Sequence, residues 1–336
     1  MISDKSTKRE LHSLSPDMAS LMEAVIVQGI EEEWTSVLFP ADVETNQAAF
    51  ATVSHIYEAT QRGVKCIYEI YTEEEKAADE SKGQTKLIYS PGKTGMPFVF
   101  LTPGGAFLMV DFLGEGLPQA HELNKLGYHV FLLKYRVGLP DTLSLALEDV
   151  HRALQLILSV GKDLGIDTSR YASMGNSAGG YLAGEWGVRE LGYGKYGDPK
   201  PSSVLLAYPA CSLQCCYEDY LRGDSDESFM FVMPLYLKNI LGDGFTLEDT
   251  KRLSLEYQID ETYSPVFIVW NEDDEYVHKD GFYRLKDRIE QSGIPHEIEI
   301  YPSGHHGFGA GYRVQARGWV ERAIRFWESS TETQHD

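Results

Sequence analysis

The pentapeptide Gly175–Gly179 constrains the fold more than any other part of the sequence. It has the pattern Gly-x-Ser-x-Gly, it follows a short strand-like run at residues 170–174, and residues 180–186 can continue as a helix. A serine on a sharp strand-to-helix turn is pushed out of the backbone, and glycines two positions before and after it remove collisions inside the turn. The pattern therefore predicts a strand, a tight turn that presents Ser177, and a helix.

The rest of the chain alternates between strand-like and helix-like segments. Largely apolar runs at 97–101 and 129–133 predict strands that are buried on both faces, as in a parallel sheet, and those at 203–208 and 266–270 predict further buried strands. The predicted strands are 65–71, 86–89, 97–101, 129–133, 203–208, 266–270 and 297–301. Helical spacing predicts helices from Pro16 towards Trp34 and at 44–62, 144–160, 282–292 and 313–328. This order indicates the α/β class, with an open, mostly parallel central sheet flanked by helices, and a disordered tail at 329–336.

Charge and composition exclude several classes of function. The 336 residues carry 30 Lys and Arg against 51 Asp and Glu, a formal net charge of −21. Such a chain repels phosphate backbones, so we expect no nucleic-acid partner and instead a neutral or cationic small molecule. We find no membrane-length apolar run and no signal-peptide core at the N-terminus, so we expect a cytoplasmic protein with no membrane partner. The cysteines lack the paired spacing of a zinc site, which predicts buried thiols and no metal. They are Cys66, Cys211, Cys215 and Cys216.

We expect residues 1–336 to form a single domain with two additions. Residues 1–63 are predicted as an N-terminal helical extension that either completes a cap or forms the contact of a homodimer. About fifty residues separate the predicted strands at 203–208 and 266–270, far more than a simple crossover needs. Within them, 211–260 is predicted as an inserted helical cap over the edge of the sheet. A solvated surface excursion is the alternative.

Candidate partners for Ser177 follow the last two predicted strands. A serine hydroxyl needs a base to take its proton and a carboxylate to orient that base. His305 and His306 follow the final strand, on a loop that can reach the carboxyl edge of the sheet. The preceding strand is followed by a run of acids, at the edge where α/β sheets hold their reacting groups. We take Asp274 as the acid over Asp273 and Glu275, and the base is one of the two histidines.

Attack on a carbonyl also needs N–H donors for the oxyanion that forms. Residues 102–107 follow the predicted strand at 97–101 and are rich in small side chains, which let a backbone approach a reacting group closely. We expect the amides of Gly105 and Ala106 to donate, together with that of Ala178 directly after the nucleophile. A simple tight turn is the alternative for 102–107.

Five short segments, in this order along the chain, resemble motifs of the α/β-hydrolase fold. They are PGGAF at 103–107, YRVG at 135–138, GNSAGG at 175–180, WNEDDEYV at 270–277 and GHHGF at 304–308. The resemblance spans residues 65–328 and is to the esterase branch related to hormone-sensitive-lipase-like and acetyl-xylan or feruloyl-esterase-like enzymes. It implies His306 rather than His305 as the base, and it also implies Asp274 as the acid.

The resemblance implies an activity as well. Pro103 stands where many relatives have His, and Ala106 where they have a third Gly. Proline is common there in carbohydrate-esterase-like relatives, which implies an acetyl or other short acyl group on a sugar. The implied protein is a serine carboxylesterase that uses no cofactor and takes a small-molecule ester.

Three other functions share these motifs. A serine peptidase of the prolyl-oligopeptidase type has the same triad, but it usually carries a large extra domain. An amidase or lactonase is barely separated from an esterase by sequence. A non-catalytic ligand-binding protein on the same fold typically loses the base, whereas Ser177, Asp274 and His306 are all present in this chain.

Overall fold

An eight-stranded sheet runs through the part of the chain that the structure, a computed structural model, describes: residue 3 and residues 6–25, 42–223 and 227–332. Its strands are β1 Ile67–Tyr68, β2 Lys86–Ser90, β3 Phe98–Thr102, β4 His129–Lys134, β5 Tyr171–Asn176, β6 Ser203–Ala207, β7 Val266–Asn271 and β8 His296–Tyr301. They lie in the order β1-β2-β4-β3-β5-β6-β7-β8. Only the β1–β2 and β2–β4 pairs are antiparallel, which confirms the prediction of a mostly parallel sheet.

The strand order brings the segments of interest to one edge of the sheet. The strands β3, β5, β6, β7 and β8 are parallel neighbours, so their carboxyl ends point the same way. The chain leaves β3 towards β4 on one side and continues to β5 on the other, which makes the gap after β3 and β5 a topological switch point. The small-residue loop follows β3, the serine turn follows β5, the acids follow β7 and the histidines follow β8.

Burial explains why the central strands have continuous apolar runs. Every residue of β3, β5, β6 and β7 is buried, whereas β8 at the edge of the sheet begins with two exposed residues. A strand covered on both faces has no solvent side and therefore does not alternate polar with apolar residues. The predicted burial of the strands at 97–101 and 266–270 is confirmed.

Helices fill most connections between the strands. Within the described ranges they are α1 Lys8–His12, α2 Pro16–Val25, α3 Val43–Gln61, α4 Glu73–Ala78, α5 Phe112–Glu115, α6 Leu117–Leu126, α7 Thr142–Val160, α8 Ser177–Trp186, α9 Tyr193–Tyr196, α10 Leu213–Arg222, α11 Glu227–Leu241, α12 Leu247–Arg252, α13 Lys279–Ser292 and α14 Trp319–Glu332. The predicted helices at 44–62, 144–160 and 282–292 are confirmed as α3, α7 and α13. None of the helices in these ranges is both long and apolar enough to cross a bilayer.

The first predicted strand is wrong in extent. Residues 65–71 were expected to be a strand, but β1 pairs with β2 only through Ile67 and Tyr68. Further along, the hydroxyl of Tyr71 donates to Asp149 in α7 at 2.7 Å, both groups being buried. This segment is therefore fixed to a helix rather than to the sheet.

The last helix differs from its prediction at both ends. It begins at Trp319 instead of residue 313, because Gly318 has a φ of +80° and the preceding residues form turns. It continues to Glu332, so the expected disorder is wrong for 329–332, where the Thr331 hydroxyl donates to a carbonyl of the preceding helical turn at 2.6 Å. Residues 333–336, and residues 26–34 of the first predicted helix, lie outside the described residues.

Buried charges fix the end of β4. The fully buried guanidinium of Arg136 donates to Asp149 at 2.9 Å and to Glu148 at 2.7 Å, both in α7. The preceding Tyr135 donates its hydroxyl to the carbonyl of Pro103 at 2.7 Å. The Tyr-Arg pair therefore connects β4 both to α7 and to the loop that follows β3.

Candidate active site

Ser177 lies on the sharp turn between β5 and α8 that the sequence predicts. Its φ is +52°, in the left-handed region, and among residues 171–188 it alone is not fully buried. A Cβ on Gly175 would overlap the carbonyl oxygen of Gly179, and one on Gly179 would overlap that of Thr102. The two glycines are therefore required by the close approach of β3, β5 and α8, and the turn holds the serine hydroxyl at the sheet edge.

The base and acid candidates lie beside Ser177. The Nε2 atom of His306 is 2.8 Å from Ser177 Oγ, and its Nδ1 atom is 2.8 Å from Asp274 Oδ2. An ionised carboxylate only accepts hydrogen bonds, so Nδ1 carries the proton and Nε2 is free to accept from the serine hydroxyl. The Asp274 side chain is fully buried and 13% of the His306 side chain is exposed. This arrangement can transfer the serine proton to imidazole.

The loop after β7 fixes both the imidazole ring of His306 and the backbone of the loop that carries it. Asp274 Oδ1 accepts the amides of Tyr276 and Val277 at 2.9 and 2.8 Å, which fixes the carboxylate. Asp273 accepts the amide of Gly304 at 2.9 Å, and Glu275 accepts that of His306 at 3.1 Å. All three acids therefore accept backbone hydrogen bonds in this region, but only Asp274 also contacts the imidazole of His306.

His305, the rival base, points away from the serine. Three quarters of its side chain is exposed, and its Nδ1 atom lies 3.8 Å from both Asp273 and Glu275. Its carbonyl accepts from the side-chain amide of Asn271 at 2.9 Å. The histidine that directly precedes the Gly-Phe pair, His306, is the one that the structure brings to Ser177.

Neighbouring charges set the proton affinity of His306. Burial by itself favours the neutral ring and lowers its pKa, but the charge and hydrogen bond of Asp274, followed by the charges of Glu115 and Glu275, raise the pKa of His306 above its usual value. The rings of Tyr208 and Tyr276 pack against the imidazole in T-shaped arrangements, with centroids 4.9 and 5.3 Å away. The site therefore favours the imidazolium that forms when the serine is deprotonated.

The loop after β3 supplies free backbone donors. The amide of Gly104 donates to Glu115 Oε2 at 2.9 Å, whereas the amides of Gly105 and Ala106 donate to no group in the described part of the chain. Gly105 and Ala106 have φ values of +128° and +55°, a left-handed path that turns the loop under the cavity. Ala178 lies in the first turn of α8, where helix amides have no partner within the helix. The oxyanion role of these three amides remains a prediction.

A cavity of about 340 Å³ opens over Ser177 and His306. The loop after β3 and helices α10 and α11 form most of its wall. It is lined by Gly105, Ala106, Leu108, Met109, Asp111, Glu115, Ser177, Ala210, Cys216, Met233, Tyr236, Tyr276, Val277 and His306. Most of these side chains are apolar, as is usual for small-molecule sites, and Asp111 and Glu115 are the carboxyl groups among them.

Two residues of the site were not predicted from the sequence. Glu115 ends α5 and is 6% exposed, and Tyr208 follows β6 and is fully buried. Asn176 and Gly309 donate to the Tyr208 hydroxyl at 3.0 and 2.9 Å. The sequence had no signal for Glu115, because the acids Asp111 and Glu122 stand in the same stretch between β3 and β4 and nothing in the pattern marks one of the three as buried. Tyr208 ends an apolar run, so its sequence context predicts only an ordinary core residue.

Metal and thiol chemistry have little basis in the described residues. No group of three or more His, Cys, Asp or Glu side chains in these ranges is arranged to hold a metal ion. The four cysteines are buried and unbridged. Burial also raises the pKa of the Cys216 thiol, which lines the cavity, so this thiol is held in its neutral form.

The sheet order and the serine turn together define the class of the protein. A family model described as alpha/beta hydrolase fold matches residues 99–310, which include the loop after β3, the serine turn and both partner loops. The chain therefore belongs to the α/β-hydrolase fold family. This agrees with the resemblance seen in the sequence.

Two curated relatives are similar to this chain. It is 26% identical over 230 residues to an endo-1,4-beta-xylanase B of Butyrivibrio fibrisolvens, covering 66% of this chain and 34% of that protein. It is 25% identical over 236 residues to an acetylxylan esterase of Xylanibacter ruminicola, covering 70% of this chain and 45% of that protein. The chain thus spans less than half the length of either relative.

Solved structures share the fold. An acetyl ester-xyloside bifunctional hydrolase from Caldicellulosiruptor lactoaceticus superposes with a TM-score of 0.63 at 22% identity, covering 78% of this chain and 95% of that one. Esterase B from Lactobacillus rhamnosus HN001 superposes with a TM-score of 0.62 at 15% identity, covering 86% and 98%. At these identities the likeness establishes the fold alone.

Proposed function

We propose that this protein is a serine carboxylesterase that hydrolyses short-chain acyl esters, acetyl esters above all, on carbohydrate alcohols. The observation that carries the proposal is the contact of His306 with both Ser177 Oγ and Asp274, at 2.8 Å each, at the base of a cavity. A serine whose proton has an oriented acceptor is the nucleophile that acyl transfer requires.

The first half of the proposed reaction makes an acyl-enzyme. His306 Nε2 takes the proton of Ser177 as its Oγ attacks the ester carbonyl, and the carbonyl oxygen becomes an oxyanion. The amides of Gly105, Ala106 and Ala178 stabilise that oxyanion in our proposal. The imidazolium of His306, stabilised by Asp274, then protonates the leaving alcohol oxygen as the tetrahedral intermediate breaks down.

The second half reverses these roles with water. His306 takes a proton from a water molecule, whose oxygen attacks the acyl carbon on Ser177. The same amides stabilise the second oxyanion, and proton return to Ser177 Oγ releases the carboxylic acid. Because His306 acts as base first in each half, activity requires a neutral ring and falls as the pH drops through its pKa.

We also propose that the helices between β6 and β7 form the cap predicted for residues 211–260. Cys216 of α10 and Met233 and Tyr236 of α11 line the wall of the cavity above Ser177. A wall built by an insertion is a natural place for substrate selection, since it varies independently of the sheet. The proposed cap would thus determine which alcohols enter.

The acetylxylan esterase of Xylanibacter ruminicola supports a sugar ester as substrate, because it is 25% identical to this chain over 236 residues. The test is hydrolysis of p-nitrophenyl acetate, butyrate and octanoate, together with release of acetate from acetylated xylo-oligosaccharides. We expect turnover of the acetyl and butyryl esters and of the acetylated sugars, with octanoate the slowest. Failure to cleave any ester, or faster cleavage of a peptide anilide than of the esters, would overturn the proposal.

Asp274→Asn is expected to reduce kcat by about 10⁴-fold, because asparagine presents the wrong tautomer of His306 and removes its stabilising charge. The loss of that charge lowers the pKa of His306, so the acid limb of the kcat/KM profile should move to lower pH. The matched control is Asp273→Asn, which weakens contacts to Gly304 and His305 but does not touch the His306 ring, and it should cost less than about tenfold. Equal losses in the two variants would remove Asp274 from its proposed role.

A further inference from the structure

Glu115 is a buried carboxyl group of the cavity that the proposed reaction does not use. Only 6% of the residue is exposed, and it lines the same cavity as Ser177 and His306. Its Oε2 atom accepts the amide of Gly104 at 2.9 Å. A Cβ on Gly104 would overlap that oxygen and would lie 2.8 Å from Ser177 Cβ, so the carboxylate and the nucleophile flank the same glycine.

Tyr208 connects Glu115 to the other two loops of the site. Its hydroxyl accepts from the side chain of Asn176, the residue before the nucleophile, and from the amide of Gly309, three residues after His306. Glu115 is another polar neighbour of this hydroxyl, which lowers the pKa of the carboxyl group. Because two N–H groups already donate to this oxygen, the single hydroxyl proton is directed to the carboxylate.

Four titratable groups face Glu115 from the elements around it. They are Asp111 on its own segment, Tyr135 after β4, Tyr208 after β6 and His306 after β8. Burial raises the pKa of Glu115 to about 7, and Asp111 adds to the rise, whereas His306, Tyr208 and the Gly104 amide lower it. Both hydrogen-bond partners donate, so the contacts stabilise the ionised form.

We propose that Glu115 is a positioning residue of the esterase reaction: its carboxylate holds the loop of the oxyanion donors through Gly104, joins the serine and histidine loops through Tyr208, and stabilises the positive charge on His306. The proposal rests on the proposed function. A single buried carboxylate would thus link the oxyanion loop, the serine turn and the histidine loop. The Gly104 amide, occupied by Glu115, is withdrawn from the substrate, which leaves Gly105 and Ala106 as the donors.

A purely structural acceptor would not need a charge. Burying a carboxyl group is costly, and a neutral glutamine could accept from Gly104 equally well. The location beside His306 distinguishes the two roles, because a negative charge there favours the imidazolium formed at each attack. The charge is therefore expected to appear in the pH dependence of the reaction.

The test compares Glu115→Gln, Tyr208→Phe and the double variant with wild type, using p-nitrophenyl acetate across pH. Tyr208→Phe keeps the ring against His306 but removes the hydroxyl. We expect each single variant to lower kcat by about 10- to 100-fold with KM within about threefold, as misplacement of reacting groups does. The double variant should lose less than the product of the two, since both act through one network.

The pH profile separates the charge from the packing. Glu115→Gln should move the acid limb of kcat/KM to lower pH by about one unit or less, whereas Tyr208→Phe, which keeps the carboxyl group and only raises its pKa, should move the limb less. The control is Glu122→Gln, the same change on α6 outside the cavity, which should match wild type. Wild-type kcat and an unmoved limb in Glu115→Gln would overturn the proposal, as would equal limbs in both single variants.

Different experimental results would contradict the proposed function and the proposed role of Glu115. If wild type cleaves no ester, the proposed function fails; if wild type is active and Glu115→Gln is equally active, only the inference fails. Should Glu115→Gln not fold, Tyr208→Phe carries the test, because an unchanged kcat in that variant would contradict the proposed link between the loops.

Discussion

Replacing Ser177 with alanine is expected to lower kcat for p-nitrophenyl acetate by about 10⁶-fold while leaving the fold intact. Alanine fits the turn, because the collisions there involve Gly175 and Gly179 and not the serine side chain. Only the nucleophilic oxygen, 2.8 Å from His306 Nε2, is lost. Residual turnover should match the contribution of the oxyanion donors and of binding alone.

The control for this variant is Ser303→Ala. Ser303 is an exposed residue of the histidine loop, so the change removes a hydroxyl near the site without touching the contacts of Ser177. It should keep wild-type kcat and KM. Hydrolysis by Ser177→Ala at more than a few per cent of the wild-type rate would exclude Ser177 as the nucleophile.

His306→Ala should cost about as much as the loss of the serine, since the two act as a unit. Without the ring, the serine proton has no acceptor and the leaving alcohol no donor. Adjacent His305 provides a matched control, because its side chain is exposed and does not contact Ser177. His305→Ala should retain activity within about threefold, as exposed substitutions usually do.

These paired histidine variants are measured by kcat/KM across pH. Wild type should lose activity as the pH falls through the raised pKa of His306, because protonation removes the base. His305→Ala should keep that limb, and His306→Ala should abolish it together with the activity. A reversal of the two results would assign the base to His305.

Most of the sheet was predictable because burial of a strand on both faces shows in its local sequence. Continuous apolar runs predicted β3, β4, β6 and β7, since strands covered on both faces contain few polar residues. Helices α5 and α6 were missed, because Gly114 and Gly116 interrupt the helical spacing. The extent of β1 was overestimated, because whether an edge segment pairs depends on contacts such as Tyr71 with Asp149.

The residues of the proposed triad were more predictable than the residues that support them. Ser177, Asp274 and His306 follow β5, β7 and β8, so their meeting follows from the parallel order of these three strands. Glu115 ends α5 and Tyr208 follows β6, so their proximity depends on tertiary packing, for which the sequence has no spacing rule. Which of Asp273, Asp274 and Glu275 contacts the imidazole and which contact the backbone likewise depends on loop geometry.

The central claim is that Ser177 is the nucleophile of an acyl-transfer reaction. The most direct measurement is intact and peptide mass spectrometry after treatment with a p-nitrophenyl alkylphosphonate ester, which traps the attacking oxygen irreversibly. We expect one phosphonyl adduct on the peptide that contains Ser177, formed together with loss of esterase activity, strongly slowed in His306→Ala and absent in Ser177→Ala. An adduct on another residue, or full ester hydrolysis by protein whose Ser177 carries the adduct, would contradict this account.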